Sequence, residues 1–183
     1  MELMESILTR RSTRKMKTDL PPRELIEKVV EAGRYAPSGS NRQATHFIVI
    51  TQKKALDDLK RLVREEYEKA GRTASAAFHY NAPVLIITAN QRDSINALAD
   101  SACALENMML MANALDLGSC WINQLRRLSE SEAVRAYMEP LGLGENEWIT
   151  GALSLGYPDG PLLREPLPRT GNPVTWVTDE AIQ

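Results

Sequence analysis

"SINALADSACALENMMLMANALDLGSCWIN", residues 94–123, is the stretch around which the rest of this chain is arranged. Apolar side chains surround most of the part from 94 to 116, and this pattern predicts a central helix that is buried on nearly all sides. Gly118 ends that helix, and the residues from Ser119 onward read as an extended segment. Because Cys103 falls inside the helix, the pattern also predicts a buried and unreactive thiol at this position.

Helical and extended patterns alternate along the rest of the chain. Apolar stripes at helical spacing predict four further helices, over residues 2–9, 22–35, 53–69 and 129–142. Apolar runs of strand length predict buried strands over residues 46–51, 82–90 and 147–158. The excess of helices over strands predicts an α+β (α/β) fold, in which helices wrap a central sheet.

Three other segments have less regular patterns. Ser129, followed three residues later by Glu132, predicts the N-cap of the last helix. Residues 71–82 are poorly patterned and predict a loop with a short helix. The tail, residues 157–183, has five prolines and no core of its own. Within it, "VTWV" (residues 174–177) predicts a short strand that needs a partner.

The composition is that of an ordinary globular protein. Of the 183 residues, 43% are hydrophobic, and the formal net charge of −2 gives no overall bias towards nucleic acid or a membrane. The chain has no internal repeat and no linker, so residues 1–183 are predicted to form a single domain. The N-terminus lacks the apolar region of a signal peptide, and the two cysteines have neither metal-ligand nor disulfide-framework spacing. We therefore expect a cytoplasmic protein.

Signatures of several common enzyme classes are absent from the sequence. The chain contains no G-x-G-x-x-G, G-x-x-x-x-G-K-[ST], H-E-x-x-H or G-x-S-x-G motif. His46 and His79 are not at metal-ligand spacing, and His46 is expected to begin a strand. Cys120 has no histidine near it in the sequence. The sequence therefore predicts neither a metal site nor a nucleophilic catalytic group.

A basic run, "RRSTRKMK" (residues 10–17), places five cations in eight residues. Guanidinium groups bind phosphate through two parallel hydrogen bonds, and a serine hydroxyl can add another. Arg10, Ser12 and Arg14 are therefore candidate ligands for a phosphate group, and the alternative is a solvated basic surface. A nucleic-acid-binding arm is disfavoured, because no aromatic residue interleaves with the cations.

The stretch "APSGSNRQATHF" (residues 36–47) connects a predicted helix with a predicted strand, and it carries many hydrogen-bonding groups for such a connection. Pro37 restricts the backbone where the chain leaves the helix, and Gly39 permits close approach to the backbone. Asn41 and Gln43 have amide side chains that both donate and accept, which suits a planar heterocycle with carbonyl groups and ring nitrogens. The alternative interpretation is an ordinary capped loop.

Four segments resemble, in order, the motifs of the FMN-dependent nitroreductase family. "RRSTRKMK" resembles its N-terminal R-x-S-x-R/K signature, and "AGRYAPSGSNRQATHFIVIT" (residues 32–51) resembles A-x-x-A-P-S-x-x-N-x-Q-x-x-x-F. "CALENMMLMANALDLGSCWIN" (residues 103–123) is similar to its central helix, and "ALSLGYPD" (residues 152–159) to its strand ending in G-Y/F-P. The resemblance spans residues 10–177, nearly the whole chain.

The resemblance implies a domain-swapped homodimer with two FMN sites at the subunit interface and the tail packed on the partner subunit. Arg10, Ser12 and Arg14 match positions that hold the flavin phosphate and ribityl chain, and Arg11 lies among them. Arg14 is also a candidate to stabilise the N1–C2 carbonyl edge of the reduced flavin. An arginine after the last strand usually returns to the phosphate, and Arg169 matches it best, with Arg164 as the alternative.

Two further segments are implied to contact the flavin ring. One is a loop that reaches the flavin held mainly by the other subunit, and it matches Pro37, Ser38, Gly39, Asn41 and Gln43. The other is a segment whose backbone passes the isoalloxazine face, and it matches Ser119, Trp121, Ile122 and Asn123.

The function implied is that of an NAD(P)H-dependent FMN oxidoreductase, in which the flavin carries the hydride and electron chemistry. NAD(P)H would reduce the flavin and leave before a nitroaromatic, a quinone or a similar small-molecule acceptor binds, which is a ping-pong sequence. A specialised branch, such as reductive dehalogenation or flavin-consuming chemistry, stays open. Two other possibilities stay open as well, because fold does not determine function. They are a flavin-binding or flavin-sensing protein without turnover, and a small domain with no cofactor.

Overall fold

The computed structural model describes residues 1–73 and 78–178 of the chain. Within those residues the helices are α1 (Leu3–Thr9), α2 (Arg23–Arg34), α3 (Lys53–Lys69), α4 (Ala97–Ala114) and α5 (Glu132–Met138). The strands are β1 (His46–Ile50), β2 (Val84–Gln91), β3 (Gly118–Ile122) and β4 (Glu147–Gly156). Single 3₁₀ turns cover Gly39–Asn41, Arg126–Leu128 and Glu139–Leu141. The predicted α+β class is confirmed, and His46 begins a strand as expected.

The strands form one antiparallel sheet in the order β1-β2-β4-β3. Side chains on β2 alternate between the two faces, with Leu85 and Ile87 in one core cluster and Val84 and Ile86 in the other. Helices α3 and α5 cover the first face, and α2 and α4 cover the second. Because both faces are buried, β2 needs apolar residues at successive positions, which explains its unbroken apolar sequence.

Helix α4 is less buried than its sequence predicts. It packs against α2 and the sheet, and α1 also contacts it. Leu98, Cys103 and Glu106, which lie on another side of the helix, are exposed in the described chain. The prediction of a buried Cys103 thiol is therefore wrong for a single chain. An apolar sequence does not distinguish a face that packs within the chain from one that is left uncovered.

The predicted cap of the last helix is also wrong by two residues. The Ser131 side chain, rather than that of Ser129, accepts a hydrogen bond from Val134 N at 3.3 Å. Ser129 has helical backbone angles as part of the preceding 3₁₀ turn, and its hydroxyl instead accepts a hydrogen bond from Ile149 N at 2.7 Å. An N-cap residue needs non-helical backbone angles, which only Ser131 has of these two serines.

Two sequence predictions reach beyond the described residues. The loop with a short helix predicted over residues 71–82 includes 74–77, which lie outside them, while 78–81 form a turn. The tail lies outside them from residue 179 onward. Its "VTWV" segment pairs with no strand in the described chain and leaves Trp176 81% exposed. None of the helices described is long and apolar enough to cross a membrane.

Candidate active site

The basic run lies along one edge of the sheet. Ser12 forms a parallel bridge with Ser119 on β3, and Thr13 N donates a hydrogen bond to the Ser119 carbonyl at 2.8 Å. Farther along, Lys17 N donates to the carbonyl of Tyr157 at 2.9 Å, just after β4 ends. A Cβ atom on Gly118 would lie 2.7 Å from Thr13 Cγ2, so a glycine is needed at this close approach. The backbone of the run is therefore held by main-chain hydrogen bonds at both ends.

The extended backbone directs alternate side chains of the run to opposite sides. On one side, Arg10 Nε lies 3.5 Å from Glu106 Oε1 of α4, and Arg14 Cζ lies 5.9 Å from the centre of the Tyr80 ring. On the other side, an Arg11 Nη atom donates to the carbonyl of Glu165 in the tail. The Arg11 side chain thus bonds to the tail, whereas those of Arg10 and Arg14 lie beside α4 and the Tyr80 ring.

Arg11 contributes to a cleft of about 250 Å³ between the basic run and residues 158–163. Ser12, Arg14 and Asn113 also line this cleft. The Nε atom of Arg11 is buried and has no hydrogen-bond partner among the described residues. A buried N–H group without an acceptor is costly, so this atom is suited to an anionic or carbonyl acceptor.

The connection from α2 to β1 is held by side chains rather than by a regular backbone ladder. Gln43 N donates to Ser38 Oγ at 2.9 Å, and Gln43 Nε2 donates to Asn41 Oδ1 at 3.1 Å. Gly39 N donates to Oδ1 of Asp100 on α4 at 2.9 Å. Asp100 is buried, and sequence reasoning missed it; an acid within an otherwise apolar helix was the available signal.

The same loop has a strained backbone. Ser40, Asn41 and Gln43 each have a φ of 53°, in the left-handed region that residues other than glycine rarely adopt. Such conformations persist where the surrounding structure enforces them, and they concentrate at functional sites. Asn41 and Gln43 line a polar cleft of about 440 Å³ together with Pro37, Ser38 and Asp100.

The candidate residues on and after β3 differ in the exposure of their side chains. Ser119 and Ile122 are buried, and Ile122 belongs to the core, so only backbone atoms of Ile122 are available to a ligand. Trp121 is partly exposed, and its Nε1 donates to Asn123 Oδ1 at 3.1 Å. Burial raises the pKa of the Cys120 thiol, although Arg14 opposes the shift, which disfavours a reactive thiolate.

The two candidate arginines of the tail differ in their contacts. Arg164 donates to the carbonyl and to Oδ1 of Asn113, at 3.2 Å and 2.8 Å, and it also pairs with Asp116. Arg169 is exposed. Arg164 therefore attaches the tail to the end of α4, which leaves Arg169 free of that role.

The guanidinium groups of the basic run and the amides of the loop line different clefts. The cleft beside the loop and the cleft beside the run share no lining residue. Both regions contact α4, the loop through Asp100 and the run through Glu106. In a single chain, therefore, the basic run and the loop form two separate polar surfaces.

Comparison with known proteins assigns the family. The model of the nitroreductase family matches residues 7–157, and the chain therefore belongs to that family. The family that the four sequence motifs indicate is therefore confirmed.

Similar proteins cover nearly the whole chain. A crystal structure of a nitroreductase with bound FMN from Bacteroides fragilis is 34% identical, with a TM-score of 0.88 over 97% of this chain and 100% of that chain. A protein of Archaeoglobus fulgidus, provisionally named NADH dehydrogenase/NAD(P)H nitroreductase, is 32% identical over 161 residues, covering 86% of either chain. A protein of Methanothermobacter thermautotrophicus with the same provisional name is 29% identical over 162 residues, covering 86% of this chain and 78% of that one.

Proposed function

We propose that this protein binds FMN and transfers reducing equivalents from NAD(P)H to a small-molecule acceptor, such as a nitroaromatic compound or a quinone, in a ping-pong sequence. The observation that carries the proposal is the basic run: Arg10, Ser12 and Arg14 alternate along one side of a segment that the sheet holds in place. The FMN bound to the Bacteroides fragilis relative and the names of the archaeal relatives support this cofactor and this reductant.

The residues present fit the chemistry of a flavin phosphate. Two guanidinium groups and a hydroxyl on one side of the segment provide charge-assisted donors for a phosphate. Among the described residues Arg10 is held by a 3.5 Å contact with Glu106, whose side chain is 47% exposed, so an anion can replace this weak pair. The unpartnered Arg11 Nε in the adjoining cleft provides a further donor.

When bound, FMN supplies the hydride and electron chemistry. In this proposal Arg10 and Ser12 hold the phosphate and ribityl chain, and Arg169 reaches the phosphate because Arg164 is engaged with Asn113. Arg14 places a positive charge at the N1–C2 edge of the ring, where negative charge develops on reduction. The backbone of residues 119–123 lines the ring face.

We propose that the active form is a homodimer. The exposed side of α1 carries Leu3, Met4, Ile7 and Leu8, with Leu3 68% and Met4 64% exposed. Leu98 on α4 is exposed as well. Several large apolar side chains exposed on one short helix are typical of an interface. A second copy would also bring the polar loop, residues 37–43, to the guanidinium groups that one chain leaves apart.

The tail is proposed to complete the partner's sheet. Strand β1 is at the edge of the sheet, with β2 as its neighbour among the described strands, and its Val49 is 40% exposed. A groove of about 640 Å³ between α2 and β1 runs beside that edge. "VTWV", which is exposed in its own chain, has the length and composition to add a strand there.

Purified protein tests the proposal directly. We expect a flavin absorbance spectrum, bleaching by NAD(P)H, and sustained NAD(P)H oxidation when nitrofurazone or menadione is added. Bound FMN that NAD(P)H does not reduce would instead identify a flavin-binding or flavin-sensing protein. Protein that stays colourless after incubation with FMN would overturn the cofactor assignment, and a monomer in sedimentation that still holds FMN would overturn the shared site.

A further inference from the structure

The turn formed by residues 78–81 faces the basic run and has no part in the function proposed above. Its Tyr80 ring lies beside Arg14, with 5.9 Å between the ring centre and Cζ, just within the limit of about 6 Å for a cation–π contact. A hydrogen bond with the Tyr80 side chain and the nearby Cys120 of β3 raise the pKa of the Arg14 guanidinium. Arg14 is therefore approached by side chains from two other parts of the chain.

The backbone of this turn is strained at the residue that carries the ring. Tyr80 has a φ of 56° and Asn81 a φ of 53°, and a bulky residue in this region is a clear outlier. An asparagine or a glycine at position 80 would adopt this backbone at lower cost. Because a residue with less backbone strain could occupy this position, the strain indicates a function for the Tyr80 side chain.

Three hydrogen bonds hold the strained turn. Ala82 N donates to the His79 carbonyl at 3.1 Å, and Ser154 Oγ on β4 donates to the same carbonyl at 3.0 Å. Lys60 Nζ on α3 donates to Asn81 Oδ1 at 2.8 Å. The backbone on either side of Tyr80 is therefore attached to the sheet and to α3, whereas the Arg14 side chain is long and exposed. Contact with a fixed ring restricts the rotamers that such a side chain would otherwise sample.

We propose that Tyr80 is a positioning residue, which holds the Arg14 guanidinium ready at the N1–C2 edge of the flavin and thereby favours the reduced cofactor. The inference rests on the proposed function, since it presumes that FMN occupies the site beside Arg14. A charge fixed before the reaction stabilises developing negative charge better than one that must first be ordered. Removal of the ring therefore weakens the binding of reduced FMN more than that of oxidised FMN.

The test compares Tyr80→Asn with Tyr80→Phe in the FMN-loaded protein. For Tyr80→Asn we expect the preference for reduced over oxidised FMN to fall about tenfold, which lowers the two-electron midpoint potential by about 30 mV. Tyr80→Phe keeps the ring but loses the hydroxyl, so its midpoint potential should fall by less than that of Tyr80→Asn. In an Arg14→Met background, Tyr80→Asn should produce no further change, because the ring acts through Arg14.

The outcomes separate this inference from the proposed function. Wild-type protein that binds no FMN overturns the proposed function itself. An unchanged potential in Tyr80→Asn, an equal loss of affinity for both redox states, or an effect that adds to that of Arg14→Met overturns the role of Tyr80. Tyr80→Leu, which keeps apolar packing, gives the same comparison if the asparagine variant does not fold.

Discussion

The basic run (residues 10–17) and the loop (residues 36–47) both carry polar groups of the proposed site, yet the fold supports them in different ways. The run has an extended backbone that bonds to the carbonyls of Ser119 and Tyr157. In the loop, three residues have left-handed backbone angles, and one backbone N–H group donates a hydrogen bond to the carboxylate of Asp100. The first region is held by the sheet, and the second by side chains together with the backbone hydrogen bonds of its own 3₁₀ turn.

This difference assigns the two regions different tasks. Support from main-chain bonds does not depend on the side chains of the run, so Arg10, Ser12 and Arg14 are free to bind a ligand. The loop stores strain and depends on few contacts, so it is the region expected to adjust when a ring binds. The predictions that follow separate these two forms of support, beginning with the largest effect.

Loss of both arginines should remove most of the cofactor affinity without affecting the loop. Each charge-assisted contact contributes about 1.5–3 kcal/mol, so Arg10→Ala combined with Arg14→Ala should weaken FMN binding by roughly 10²- to 10⁴-fold. Fluorescence titration of the apoprotein measures this change. Lys17→Ala combined with Lys28→Ala removes the same charge away from the proposed contacts and should leave the affinity nearly unchanged. Equal losses of affinity in the two double variants would mean that the run acts through its overall positive charge and not through contacts of Arg10 and Arg14.

Acid should destabilise the fold through His79, which lies in the turn formed by residues 78–81. Burial, with a smaller contribution from Lys60, lowers the pKa of His79 to about 4, whereas an unfolded chain has its ordinary value of 6.5. The unfolded state then binds the proton more readily, so this histidine destabilises the fold as the pH falls from 6.5 towards 4. Between pH 7 and pH 4.5 we expect a loss of about 2–3 kcal/mol from this group.

Denaturant unfolding at the two pH values isolates the histidine. His79→Leu should lose less stability than the wild type over this interval, because it cannot bind the proton. Identical pH profiles for His79→Leu and the wild type would show that His79 is not the group responsible.

Removal of the loop's acceptor should loosen the loop and leave the run in place. Asp100→Ala leaves Gly39 N without its partner, which costs about 1–3 kcal/mol. Faster tryptic cleavage after the exposed Arg42 reports the loosening. Asp100→Asn retains an accepting oxygen and should restore resistance, and Asp93→Ala, at an exposed acid, is the matched control. Unchanged cleavage in Asp100→Ala would mean that the strained loop is held by other contacts.

The smallest effect separates strain from binding within the loop. Gln43→Gly and Ser40→Gly each relieve a left-handed residue, but glycine adds chain entropy, so stability should change by less than about 1 kcal/mol in either variant. Only Gln43→Gly removes a proposed contact to the ring, and FMN affinity should fall roughly fivefold, as for one neutral hydrogen bond. A comparable loss in Ser40→Gly would show that backbone strain, rather than the Gln43 amide, matters for binding.

The sequence predicts those features of the fold that depend on local patterns. Helix α3 runs from Lys53 to Lys69, as its stripe of Leu56, Leu59, Leu62 and Val63 predicts; Leu62 is partly buried and the other three are buried. The same approach fails at Ser129 and Cys103. A cap depends on the backbone angles of the preceding turn, and burial depends on which elements cover a helix.

The sequence by itself determined the family, the order of helices and strands, and the residue types of the candidate site. These follow from periodicity and motif spacing, which act over a few neighbouring residues. Only the tertiary structure decided that Arg11 bonds to the tail, that Asp100 holds the loop, and that the Tyr80 ring meets Arg14. Such contacts join residues about 60 or more positions apart, and no local pattern specifies which distant side chains packing brings together.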